Sequence, residues 1–184
     1  MAWGITGGGD RLVETFEVMK EIRRQYDEDE VDMKVYLSKA GEQVANYYKL
    51  TDDLKTTFNR VSVEVNSNSP FLVGALQRGE FEFLLIAPAT SNTVAKIVVG
   101  IADTLLSNAT IQALKAFVPV YIMPTDYREG MAITRLPDGH EMKLRIRKED
   151  ADNSRKLVSM EGVMVLEKTE DIFKVFKRYF GLGT

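Results

Sequence analysis

Ile86-Ala87-Pro88-Ala89-Thr90-Ser91-Asn92-Thr93-Val94-Ala95-Lys96 is the stretch whose reading decides the fold. The apolar run that leads into it, Phe83-Leu84-Leu85-Ile86, predicts a fully buried strand. That run ends at a proline, followed by small, hydroxyl-rich residues and another apolar helix. Strands of a parallel sheet point their carboxyl ends at a crevice. The loop after such a strand presents hydroxyls, an amide and the free N–H groups of the next helix to a ligand.

Outward toward the N-terminus, Ala2-Trp3-Gly4-Ile5-Thr6 predicts a second apolar strand. Gly7-Gly8-Gly9-Asp10 and a helix with Leu12, Val13, Phe16, Met19 and Ile22 on its apolar face come next. Successive glycines let backbone N–H groups approach a phosphate, and the helix start adds partial positive charge; glycine also suits a tight turn on steric grounds alone. Asp10 is expected to cap this helix with its carboxylate turned away. Glu28 to Glu30 and Asp32 read as a solvated acidic turn before a strand, Met33 to Leu37. Ser38-Lys39 opens a helix through Tyr48, with Ser38 as N-cap, ligand hydroxyl or both.

Asp52 to Phe58 and Phe71 to Gln77 predict short helices around a more exposed strand, Val61 to Val65, and a polar loop, Asn66 to Pro70. After the opening stretch, Val94 to Leu106 is small and apolar throughout, suiting a helix packed on the sheet and on a neighbouring subunit. The next helix, Asn108 to Phe117, is expected to start from a Ser107 or Asn108 cap. Val118 to Met123 predicts a strand ended by Pro124. Met131 to Arg135 and Glu141 to Ile146 flank the Asp138-Gly139 turn as a hairpin. Arg145 to Lys156 reads as helical, Val163 to Leu166 as the last strand, and Thr169 as the cap of a closing helix bearing Ile172, Val175 and Phe176.

The alternation of strands and helices implies an α/β fold: a single-domain Rossmann-like (flavodoxin-like) three-layer sandwich over residues 1–184. Its sheet is mainly parallel, with a small hairpin insertion near residues 131–146. Three loops, Thr6 to Asp10, Ser38 to Lys39 and Pro88 to Thr93, are expected to converge at one crevice. A chain of 184 residues with 45% hydrophobic content supports one packed core. The net charge of -3 lacks the basic surplus that phosphate backbones demand, so no nucleic-acid partner is expected. Without cysteine there is no disulfide, thiolate nucleophile, iron–sulfur cluster or thiolate zinc site. The single histidine, His140, beside a turn glycine, is expected to be exposed and inert, and no metal site is expected. The start shows no signal peptide and no run reaches membrane-spanning length, so no membrane partner and a cytoplasmic location are expected. The convergent hydroxyls, amide and N–H donors suit an anion and a polar ligand but are poorly equipped for acid–base chemistry, which leaves the hard step to a cofactor. Tyr47, Tyr48 and Tyr127 are candidates to stack on a ring or to fill core and interface positions.

Pro88-Ala89-Thr90-Ser91-Asn92-Thr93 resembles the PASANT motif of the flavoproteins that include flavin-containing cysteine decarboxylases and flavin prenyltransferases. Ala95-Lys96-Ile97, Gly100 to Asp103 and Leu105 to Asn108 match that motif's continuation. Gly4 to Gly7 resembles the family's phosphate loop and Ser38-Lys39 its hydroxyl-bearing second loop. Ala2 to Asp10, the Gly139 hairpin region and the closing helix look most similar to the archaeoflavoprotein and dihydromethanopterin reductase branch. The resemblance implies FMN, with Thr6, Gly7, Gly8, Gly9 and Ser38 around the phosphate. Thr90, Ser91, Asn92 and Thr93 would lie along the ribityl chain and ring, next to Pro88 and Ala89, with Thr125 following the next strand. It also implies a homotrimer or a dodecamer of trimers, a ferredoxin-like electron donor and a pterin-like or other small acceptor.

Departures from the family pattern direct the chemistry. Val73 or Gly74 stands where the decarboxylases carry a histidine. Pro124 to Gly130 replaces their substrate clamp, and Thr125 takes the place of the prenyltransferases' arginine. An FMN-dependent oxidoreductase, not a cysteine decarboxylase, is therefore the expectation. A flavin prenyltransferase-like enzyme and a non-enzymatic flavin carrier are its alternatives, and Asn92 is the one candidate for a catalytic or positioning amide.

Overall fold

The computed structural model describes residues 1–27 and 29–181, and of Asp10 only the backbone. In chain order the elements are β1 (Ala2–Ile5), α1 (Gly9–Gln25), β2 (Lys34–Leu37), α2 (Lys39–Tyr47), α3 (Thr51–Thr57), β3 (Arg60–Val63), α4 (Leu72–Gln77) and β4 (Leu84–Ala89). They continue as α5 (Ser91–Val99), α6 (Leu105–Lys115), β5 (Val120–Pro124), β6 (Gly130–Arg135), β7 (Glu141–Ile146), α7 (Lys148–Val158), β8 (Val163–Val165) and α8 (Asp171–Phe180). Six strands form one sheet in the order β3-β2-β1-β4-β5-β8, and every neighbouring pair is parallel. The chain winds one way from β1 to β3 and the other way from β4 to β8, so the order reverses between β1 and β4.

Side-chain alternation divides the core. Trp3, Ile5, Leu85 and Ala87 point to one face, with Phe16 of α1, Leu54 of α3 and Phe176 of α8. Ala2, Leu84 and Ile86 point to the other, against Leu72 of α4, Val94 of α5 and Leu106 of α6. These are the three layers that the pattern predicts. At Gly4 an added Cβ would lie 2.7 Å from Leu106 Cδ2, so glycine lets α6 approach β1 closely.

Several local expectations are corrected. β4 runs through Pro88 to Ala89 instead of stopping at the proline; the ladder with β5 shifts between Ile86 and Ala89, where Pro88 has no N–H to donate. Val13 is 42% exposed, so the apolar face of α1 is narrower than its sequence suggests. Gly8, not Asp10, is the N-cap of α1, and the Asp10 side chain lies outside the described residues, as does Glu28 of the acidic turn. Val94 to Leu106 is not one helix: Gly100 closes α5 at φ 78°, and α6 begins after an intervening loop. Its cap is Thr104, and Ser107 completes a capping box from the third position. Arg145 and Ile146 belong to β7, so α7 starts later than expected. Thr169 does not cap α8; its hydroxyl donates to Glu14 at 2.7 Å, and α8 starts two residues on.

The hairpin β6–β7 falls where the Asp138-Gly139 signal places it, as a separate two-stranded sheet. Among the described residues no helix is long and apolar enough to cross a membrane.

Candidate functional site

The glycine turn after β1 and the start of α5 after β4 meet at the carboxyl edge, where the strand order reverses. Thr6 joins them: its Oγ1 donates to the Pro88 carbonyl at 2.8 Å and accepts from Thr90 N–H at 2.9 Å. Thr6 is itself buried, so its hydroxyl is spent inside the scaffold. Thr90 caps α5 and contacts the Thr93 hydroxyl at 3.2 Å. α1 starts differently. Gly8 at its N-cap offers no side chain, and no described side chain caps the helix, so its first N–H groups face the crevice with the positive end of the helix dipole.

A cleft of about 360 Å³ opens there. Its base is Gly7, Gly8 and Gly9 with Thr90 and Ser91; Thr125 and Asp126 follow β5, and Val44, Tyr47 and Tyr48 come from α2. Its cover is the hairpin, which turns Ala132, Thr134, Leu136, Met142 and Leu144 inward. The base is tightly fitted: a Cβ on Gly8 would stand 2.6 Å from Thr125 Cγ2 and 3.3 Å from Pro88 Cβ, and one on Gly9 would stand 3.0 Å from the Tyr48 ring. The base packs this closely only because these positions carry no side chain.

The turn end of the cover is tied down. The Tyr48 hydroxyl donates to the Arg135 carbonyl at 3.1 Å. After β7, Arg147 donates from Nε at 2.8 Å and Nη2 at 2.7 Å to the Asp150 carboxylate, and those bonds hold the Asp150 carboxyl below the usual carboxylate range. Among the described residues Asp126 is the one charged side chain lining the cleft. It accepts from the Ser91 hydroxyl, while its carbonyl accepts from Ser154 of α7 at 2.8 Å.

Of the residues singled out from the sequence, Gly7, Gly8, Gly9, Thr90, Ser91 and Thr125 line the cleft. Thr6, Pro88, Ala89 and Thr93 are buried behind it. Ser38 lies outside the lining and caps α2 by accepting from Gly41 N–H at 2.9 Å; the second loop's place in the cleft is taken by the far end of α2. Asn92 is exposed and outside the lining. Tyr47 and Tyr48 reach the cleft, whereas Tyr127 lies against a smaller neighbouring one with Arg128 over its ring; burial pushes its phenol up. His140 is exposed beside Asp138. Among the described residues no cluster of His, Asp and Glu is arranged to hold a metal. Sequence reasoning missed Asp126, Val44 and the inward face of the hairpin. The alternation of Ala132, Thr134, Met142 and Leu144 was the available signal for that face.

The family model described as Flavoprotein matches residues 1–172. The chain is 48% identical over 179 residues to an uncharacterized protein of Methanocaldococcus jannaschii, covering 97% of this chain and 95% of that one. It is 32% identical over 237 residues to the dihydromethanopterin reductase (acceptor) of the same organism, covering 96% and 95% of the two chains. Among solved structures, Burkholderia xenovorans DmrB in complex with FMN, described as a cubic protein cage for redox transfer, superposes with a TM-score of 0.79. It is 31% identical, with 96% of this chain and 92% of that chain covered. On the family match and these identities, the chain belongs to the Flavoprotein family.

Proposed function

We propose that the cleft binds FMN and that the protein is an FMN-dependent oxidoreductase. In this reading it takes electrons from an external donor of the ferredoxin type and passes them to a pterin-like or other small acceptor. The observation that carries the reading is the pairing of a glycine-lined start of α1, which no described side chain caps, with an apolar hairpin wall in one cleft. The N–H groups at Gly7 to Gly9 suit a phosphate, which needs donors and positive potential without a side chain in the way. Ala132, Leu136, Met142 and Leu144 suit a flat, largely apolar ring, with Tyr47 and Tyr48 at its edge. Thr90, Ser91 and Thr125 supply hydroxyls between these ends, while Thr6, Pro88, Ala89 and Thr93 hold the loop from behind.

FMN, when bound, supplies the redox chemistry that this set of side chains lacks. The chain's own residues bind it, exclude water with the hairpin and set the local charge through Asp126. Two relationships support the redox role: identity with a dihydromethanopterin reductase and likeness to a DmrB solved with FMN. The description of that DmrB as a cage also supports assembly of this chain with copies of itself. Ser38 and Asn92 stand outside the lining of the cleft, Ser38 as the cap of α2.

The test is optical. Purified protein incubated with FMN and desalted is expected to keep a flavin absorption spectrum. Under anaerobic conditions reduced ferredoxin should bleach it, and a pterin acceptor should restore it. Protein that stays colourless sinks the reading. Bound flavin that is neither reduced nor reoxidised identifies a carrier, and conversion of reduced FMN by a prenyl phosphate identifies a prenyltransferase.

A further inference from the structure

The C-terminus of α6 holds a residue that its backbone does not favour. Val118 N–H bonds to the Ala113 carbonyl at 2.9 Å and Phe117 N–H to that of Leu114 at 3.2 Å, the two bonds of a Schellman turn. The residue at the apex of such a turn is left-handed, where a Cβ crowds the following carbonyl and glycine is preferred. Here it is Phe117, at φ 59°, and its ring is 93% exposed, more than any other large hydrophobic side chain among the described residues. α2 ends in the same way at Lys49, at φ 57°, but a lysine there meets water at no hydrophobic cost. Phe117 combines backbone strain of about 1–2 kcal/mol with an apolar ring in solvent, and no ring contact of its side chain among the described residues offsets either.

The ring borders a groove of about 500 Å³ formed by Leu114, Val118, Pro119 and Gly162 and rimmed by Lys115 and Glu161. Gly162 keeps the groove open: a Cβ there would lie 2.9 Å from Leu114 Cδ2, at a φ of +79°. Neither Lys115 nor Glu161 has a partner among the described residues. One patch thus holds a knob, a hole, an unpaired cation and an unpaired anion, which makes it complementary to itself. A two-fold axis through the patch would seat each Phe117 in the other copy's groove and set each Lys115 against the partner's Glu161.

We propose that this face, beside the amino ends of β5 and β8, is a two-fold contact between copies of this chain, anchored by Phe117. It lies at the opposite edge of the sheet from the cleft, so it stands whether or not FMN binds there.

Sedimentation velocity of the full chain tests it. Phe117→Gly relieves the left-handed strain, so the variant is expected to melt no lower than the parent while its assembly breaks into smaller units, at half the parent's mass or less. Lys115→Glu and Glu161→Lys each set like charges across the axis and are expected to weaken association about tenfold; the double variant, with the charges exchanged, is expected to restore it. A parent that sediments as a single chain overturns the proposal. So does a Phe117→Gly variant that keeps the parent's mass, or a double variant that associates no better than the single ones.

Discussion

Gly8 shows how narrow the tolerance is at the start of α1. Its φ of -83° is open to any residue, so the requirement for glycine is one of space. A methyl group at Gly8 meets Thr125 Cγ2 at 2.6 Å, and overpacking of this kind costs about 1–3 kcal/mol. Gly8→Ala is therefore expected to raise the Kd for FMN about tenfold or more, read by quenching of FMN fluorescence. Adding Thr125→Ser removes the clashing methyl and keeps the hydroxyl, so the double variant should recover most of the affinity. A single variant that binds as the parent does would remove Gly8 from the site. Asp126 makes a different contribution, since a fixed negative charge in the cleft disfavours electrons arriving on a bound flavin. Asp126→Asn is expected to raise the midpoint potential by roughly 30 mV, equivalent to about 1.4 kcal/mol for a two-electron couple. Spectroelectrochemistry reads this shift, and an unchanged potential would place Asp126 too far from the ring to matter.

At the scale of elements, one buried carboxylate orders the carboxyl edge of the sheet. Glu64, just past β3, accepts from Lys39 N–H at 3.3 Å and from Leu105 N–H at 3.0 Å, so a single side chain serves the first turns of both α2 and α6. An anion suits two positive helix ends, and a neutral amide turns a donor toward one of them. Glu64→Gln is expected to cost about 1–3 kcal/mol, measured by urea unfolding with an unchanged m-value. A loss under a few tenths of that would show the two helix starts to be held by other means. Elements of this sheet are legible in the sequence where burial is complete. Phe83 to Ile86 and Val120 to Met123 are apolar on both faces and admit few readings. Boundaries set by a single residue are less so. Val94 to Leu106 reads as one apolar helix because the pattern of hydrophobicity does not register Gly100 in the left-handed region or the hydroxyl of Thr104. Thr169 reads as a cap by residue type, yet its hydroxyl has a distant partner in Glu14, and long-range pairing of that kind leaves no local trace.

The whole molecule divides the site between two structures with different origins. The base belongs to the parallel sheet, and its glycines and hydroxyls are legible because they sit beside the strands whose ends they follow. The cover belongs to a hairpin that forms its own two-stranded sheet and touches the core mainly through α1 and its own ends. Sequence alternation places Ala132, Thr134, Met142 and Leu144 on one side of that hairpin, but which side faces the cleft is fixed only by docking. The Tyr48–Arg135 contact and the packing of β6 against α1 hold it here. Because the six-stranded sheet closes without the hairpin, the two parts should be separable. Replacing residues 130–146 with a short glycine–serine linker is expected to leave the cooperative unfolding of the main sheet intact, while exposing the apolar side of any bound flavin. With the phosphate end still held by α1, FMN should bind about a hundredfold more weakly, a loss of about 2.7 kcal/mol. Calorimetry on the apoprotein and FMN titration together distinguish the outcomes. Collapse of the melting transition would make the hairpin part of the core. Unchanged affinity would show that the sheet edge alone holds the ligand and that the hairpin serves something other than closure.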